Sequence, residues 1–223
     1  MSEIKEKKLL ITGCGRSGTL YSANLFSELG LDILHELDAN THPERGRDGF
    51  SSWFLAVDDP HPPQGPSGIG NEFEYVLHQV RHPLPVIASF AQFILQKGSK
   101  SPEFIEKYIP DLKTIFENPE LSLKQKLILQ GALYWYEWNL LALEKATETI
   151  RLENIGKELP RLCDVLGVDY AADVLSRVSS KTNERGIYLQ EKPWVISWEE
   201  LESLDPVLTD KICGLAETFG YQV

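Results

Sequence analysis

Cysteine is scarce in this chain. The three present, Cys14, Cys163 and Cys213, form no CxxC pair and are odd in number, which argues against a disulfide framework or a zinc knuckle and fits a reducing compartment. Long apolar runs are missing too, since none approaches the ~20 residues needed to span a bilayer. The charged start Met1 to Lys8 gives way after a few apolar residues to Gly13 and holds no signal-peptide core. A soluble, cytoplasmic protein without a membrane partner is the expectation. Positive charge is in deficit: 22 Lys and Arg against 33 Asp and Glu leave a formal net charge of -11. That argues against nucleic acid as a partner, because binding a long polyanion draws on a broad basic surface. A small anion remains possible, because a few arginines and backbone N–H groups suffice in a local pocket. No internal repeat or low-complexity segment stands out.

What is present is globular usage, with 42% hydrophobic and 25% charged residues over 223 positions, enough for one domain with a sizeable core. Lys7-Lys8-Leu9-Leu10-Ile11-Thr12 reads as a strand ended by glycines, followed by a helix through Leu20, Leu25, Phe26 and Leu29 that Gly30 stops. A short strand at 31–34 follows, ending at His35-Glu36. From 37 to 70 the sequence is rich in Gly, Pro, Asp and His around one apolar island at 53–57, and reads as a long irregular loop over a site. Residues 73–80 are a strand ending at Arg81-His82-Pro83, and Pro83 opens a helix. Amphipathic helices are expected over 101–117 and 121–146, a buried strand at 149–152 and a helix at 155–166. Residues 179–196 read as a second loop, after which Ser197 and Asp205-Pro206 start two closing helices. Strands alternating with helices imply an α/β fold, a mostly parallel central sheet flanked by helices.

The glycine-rich turn after the first strand, Gly13-Cys14-Gly15-Arg16-Ser17-Gly18-Thr19, would aim several backbone N–H groups into one concavity at the positive end of a helix dipole. Its Gly13-to-Gly18 spacing fits the start of the G-x-x-x-x-G-K-[ST] loop, but Thr19 and Leu20 stand where Lys and Ser/Thr belong. The β/γ-phosphate lysine and the magnesium hydroxyl are both displaced, and the 73–80 strand ends in Arg81 rather than in a metal-binding Asp. This disfavours a magnesium-dependent ATPase.

The run Gly15-Arg16-Ser17-Gly18-Thr19 resembles the 5′-phosphosulfate loop of sulfotransferases that use 3′-phosphoadenosine 5′-phosphosulfate (PAPS). The segment from Arg81 to Ser89 is similar to that family's 3′-phosphate segment, an Arg at a strand end and a Ser about two helical turns on. The resemblance implies a three-layer P-loop-type fold, transfer of a sulfuryl group from PAPS without a metal, and a nucleotide held by Gly13, Gly15, Arg16, Ser17, Gly18, Thr19, Leu20, Arg81 and Ser89. It also implies, on a looser match, a further cation from Arg185.

Sulfuryl transfer needs cationic stabilisation of the leaving phosphate and removal of a proton from the acceptor. Arg16 is the candidate cation, permanently charged and able to fork onto two oxygens. Glu36 follows the second strand, at the sheet edge where ligands of open α/β sheets bind, and matches by position the Glu base of the glycan and tyrosine branches of the family. His35 could assist or substitute. Asp48, Ser51, Ser52 and Trp53 fall where an acceptor would dock, without a spacing that marks chemistry. The aromatic run 134–138 reads as core, with one ring able to stack on adenine, and His42, His61, Asp58 and Asp59 lack metal-ligand spacing. Two alternatives stay open: a P-loop kinase of nucleotides or small molecules, and a non-catalytic nucleotide-binding module. The acceptor and the oligomeric state are not indicated.

Overall fold

The computed structural model describes residues 5–36, 44–63, 69–94, 101–179 and 194–223. Among the described residues five strands, β1 (Lys5–Thr12), β2 (Ile33–His35), β3 (Gly49–Ser51), β4 (Asn71–Val80) and β5 (Glu148–Arg151), form one sheet in the order β2-β3-β1-β4-β5. Every neighbouring pair is parallel, with Leu10 of β1 in register with Phe50 of β3 and Val76 of β4.

β1 sits in the middle, and alternation along it divides the core. Leu10 points into one apolar cluster with Phe50, Phe54, Val86, Ile87, Tyr134, Trp135 and Trp138. Leu9 and Ile11 point into the other, with Leu25, Phe26, Leu77, Ile150, Leu159 and Leu162. The second cluster is covered by α1 (Thr19–Glu28), α6 (Ile155–Leu166) and α7 (Val174–Arg177). The first is covered by α2 (Pro83–Ile94), α3 (Ser101–Tyr108), α4 (Asp111–Glu117), α5 (Leu123–Lys145), α8 (Trp198–Leu204) and α9 (Pro206–Thr218). The result is a helix–sheet–helix sandwich, the layering a parallel sheet requires to bury both its faces.

Local chemistry sets the helix ends. A reciprocal capping box between Ser122 and Gln125 starts α5. Asp205 caps α9, its carboxylate accepting from Leu208 N at 2.9 Å, and Pro206 fills the first helical position. α5 is buried on more than one side, so Tyr134, Trp135 and Trp138 are all essentially inaccessible.

Two sequence expectations change. The stretch 37–70 is not one irregular loop, because Gly49–Ser51 forms β3, slotted between β1 and β2, and Trp53–Ala56 forms a 3-10 turn with all four side chains buried. Three residues are too few to show a period, and a strand enclosed on both faces needs none. The helix expected over 101–117 is two, α3 and α4, parted at Ile109-Pro110 because proline cannot donate the helical hydrogen bond. The expected loop 179–196 lies largely outside the described residues, as does Arg185.

Candidate functional site

The chain leaves β1, runs out to β2, returns to β3 beside β1 and then crosses to β4 on the other side. A parallel sheet has its crevice at such a reversal, at the C-terminal ends of the strands. The glycine-rich loop after β1, His35-Glu36 at the end of β2, Ser51-Ser52 at the end of β3 and Arg81 after β4 therefore share one edge of the sheet.

The loop is held tightly from beneath. Gly13 has φ 151°, and a Cβ there would lie 2.2 Å from the carbonyl oxygen of Gln79 in β4. Gly18 has φ 93°, and its Cβ would meet Leu152 at 2.7 Å. Only glycine tolerates both the backbone and the approach. Gln79, fully buried, donates from Nε2 to Ser17 O at 2.6 Å and accepts from the Ser22 hydroxyl, tying loop and α1 to β4. Tyr134 of α5 accepts from Gly15 N at 2.8 Å and stacks on Phe90 at 4.2 Å between centroids. Ser17 is turned inward, its hydroxyl donating to Cys14 O at 2.5 Å. α1 begins at Thr19 with no side chain capping its N-terminus, so the open N–H groups of its first turn face the same edge. Leu20, the second residue of α1, is half-buried.

Arg16 is the one non-glycine residue with positive φ among those described, at 73°. A left-handed backbone at a bulky residue costs on the order of 1 kcal/mol and marks a place where the fold dictates conformation. Its Nε donates to the Ser89 hydroxyl of α2 at 2.9 Å, and its guanidinium lies 5.7 Å from the Phe93 ring centre, one helical turn beyond Ser89. Arg81 donates to the carbonyl of Arg16 at 3.4 Å. Arg16 thus converges with Arg81 and Ser89, 65 and 73 positions further along the chain.

On the other flank Glu36 is buried, 6% exposed, and accepts from the Ser52 hydroxyl at 3.0 Å. Burial pushes its carboxyl up to about 8, against the Ser52 hydrogen bond and the positive charge of Arg16, which pull it down. Burial holds His35 down at about 4. Its Nε2 lies 3.4 Å from Glu36 Oε1 and 3.4 Å from Thr19 Oγ1. At neutral pH both shifts favour the uncharged forms, so this contact is a polar one between neutral groups and not an ion pair.

Other sequence candidates are placed elsewhere. Asp48 precedes β3, at the opposite end of the sheet, where its carboxylate accepts from Asp32 N at 2.7 Å. It belongs to the turn before β3 and not to the loop edge. Trp53 is core, packed edge-on against Phe54, Phe104 and Tyr134. In the aromatic run of α5, Tyr134, Trp135 and Trp138 are buried, Trp135 Nε1 donating to Arg81 O at 3.2 Å and Trp138 Nε1 to Trp53 O at 2.8 Å, so these three support the site from below. Asp59 is bound by Lys107, Tyr108 and the backbone of His61. Among the described residues no group of three or more His, Cys, Asp or Glu could hold a metal ion, and no helix is long and apolar enough to cross a membrane.

Sequence reasoning missed Gln79 and Tyr134 as supports and Ser52 as a partner of Glu36. A glutamine two positions before the strand-end Arg81 was a usable signal for the first, whereas the other two depend on contacts 119 and 16 residues away.

No protein-family model matches the chain, and no curated protein sequence does. Solved structures of similar shape include the sulfotransferase domain from the Synechococcus PCC 7002 olefin synthase, 16% identical with a TM-score of 0.49, covering 100% of this chain and 97% of that one. The sulfotransferase domain from the curacin biosynthetic pathway is 14% identical with a TM-score of 0.49, covering 98% and 99%. Mouse sulfotransferase SULT7A1 complexed with PAP is 13% identical with a TM-score of 0.37, covering 89% and 66%.

Proposed function

We propose that the chain transfers a sulfuryl group from PAPS to a hydroxyl or amine of an acceptor. The observation that carries this reading is the convergence of the β1–α1 loop with the start of α2, where Arg16 meets Ser89 at 2.9 Å and Arg81 meets the loop backbone at 3.4 Å. A ligand with one anionic group at each end of a ribose needs two adjacent cationic stations, one on loop N–H groups and one beyond it. The uncapped N-terminus of α1 with Arg16 supplies the first, and Arg81 with Ser89 supplies the second. The loop meanwhile lacks the lysine and hydroxyl that a magnesium nucleotide requires.

The donor supplies an activated sulfuryl group and departs as adenosine 3′,5′-bisphosphate. The chain's own part is to hold its phosphates, to place a permanent positive charge at Arg16 beside the bridging oxygen that gains charge, and to take the acceptor proton on Glu36. A carboxyl pushed up to about 8 is a stronger base than an ordinary glutamate once ionised, and its ionised fraction grows as pH rises towards 8. His35, neutral and in contact with both Glu36 and Thr19, links the base to the donor loop.

Titration calorimetry tests the reading. Adenosine 3′,5′-bisphosphate binds without metal, and Arg81→Ala weakens it about tenfold, the loss of one charge-assisted contact. Tight binding of magnesium ATP with none of the bisphosphate would overturn it in favour of a P-loop kinase.

A further inference from the structure

Ser51, the last residue of β3, and Ser52, still extended after it, point to opposite faces of the sheet, as successive extended residues do. Ser51 donates to the carbonyl of Thr19 at 2.8 Å, and Ser52 donates to Glu36 Oε2 at 3.0 Å. The backbone N–H of Ser52 continues the sheet ladder, donating to Ile11 O of β1 at 2.9 Å just before the loop. One dipeptide therefore fixes the start of α1 with one side chain and the candidate base with the other, while its own position is set by β1.

We propose that Ser52 is the positioning residue of Glu36: its hydroxyl clamps Oε2 and so presents Oε1 towards His35 and the loop. The inference rests on the reading of Glu36 as the base. The Ser52 hydroxyl hydrogen-bonds Oε2 while His35 Nε2 lies against Oε1, and Ser52 and Glu36 are both all but inaccessible, at 1% and 6% exposure. A hydroxyl in that position cannot exchange its role with water. It accommodates either state of the carboxyl, donating to the carbonyl oxygen of the acid and more strongly to the carboxylate. It therefore favours the ionised base without demanding it.

Carboxyl-labelled glutamate followed by carbon NMR gives the direct test, with the Glu36 signal identified by its loss in Glu36→Gln. Ser52→Ala raises the Glu36 titration midpoint by about one pH unit, which at pH 7 means roughly a tenfold smaller ionised fraction. Ser52→Cys, similar in size but a weak donor, raises it as well, and Ser52→Thr keeps the midpoint of the unmodified chain. With water as the acceptor, the pH profile of sulfate release from PAPS moves to higher pH in Ser52→Ala, while bisphosphate affinity stays within about twofold. An unmoved Glu36 midpoint in both Ser52→Ala and Ser52→Cys overturns the proposal, and so does a fall in bisphosphate affinity as large as the fall in rate. Failure of the unmodified chain to bind the bisphosphate defeats the sulfotransferase reading instead, and leaves the NMR titration to decide the Ser52 contact.

Discussion

Replacing Glu36 with Gln keeps the size of the side chain and an oxygen for Ser52 but removes its titration, and the consequence for stability can be worked through with its sign. Folding raises the Glu36 carboxyl from 4.5 to about 8, so between those values the folded chain holds a proton that the unfolded chain has released, and stability falls as pH rises. His35 and His78 behave oppositely: burial lowers both from 6.5 to about 4, so their contribution is present above 6.5 and is lost as pH falls towards 4. Each group contributes a slope of about 1.4 kcal/mol per pH unit inside its window. From 4.5 to 6.5 two histidines outweigh one glutamate and stability climbs; from 6.5 to 8 Glu36 acts alone and it declines by about 2 kcal/mol. For a chain of this length that decline is a fall in melting temperature of roughly 4–8 °C. Calorimetric melting at constant ionic strength from pH 4.5 to 9 should therefore show a maximum near 6.5 in the unmodified chain. Glu36→Gln should be flat from 6.5 to 8 and should climb more steeply below 6.5, where the histidines act unopposed. An equal alkaline decline in both proteins would refute the placement of a buried, proton-holding carboxyl beside Ser52.

Two further changes probe the support of the loop. Tyr134→Phe removes the acceptor of Gly15 N–H and leaves a buried donor without a partner, a cost of about 1–3 kcal/mol. The measured melting temperature should drop and bisphosphate binding should weaken with it, and an unchanged melting temperature would contradict the contact. Gly13→Ala brings a Cβ to 2.2 Å from a backbone carbonyl at φ 151°, where nothing can move without displacing β4. A loss above about 3 kcal/mol or failure to accumulate as folded protein is expected, and wild-type stability in denaturant would show the loop to be differently placed.

The sequence made the loop and its partners legible because their signals are local. Gly13 and Gly18 mark positions that only glycine can fill, and Arg81-His82-Pro83 marks a strand end followed by a helix start. A parallel α/β sheet then places every such strand end at one edge, so two motifs read separately were bound to come near each other; Arg16 and Ser89 do so. β3 escaped for the converse reason. Its Gly-Phe-Ser is recognisable only through its neighbours, being held by ladder bonds to β1 and β2 with no pattern of its own. With β3 unseen, Ser52 could not be distinguished from any other loop serine, and Asp48 could not be seen to lie at the far end of the same short strand. Glu36 shows the same division. Its place after β2 follows from local sequence, but its altered proton affinity comes from tertiary burial, with Ser52 after β3 and Arg16 in the loop acting against it. Candidate nucleotide contacts are thus encoded near in sequence, whereas the tuning of the candidate base is a tertiary property. It follows that substitution of Ser52, which follows β3 and lies outside any recognisable motif, should alter the pH response of the site while leaving the nucleotide stations intact.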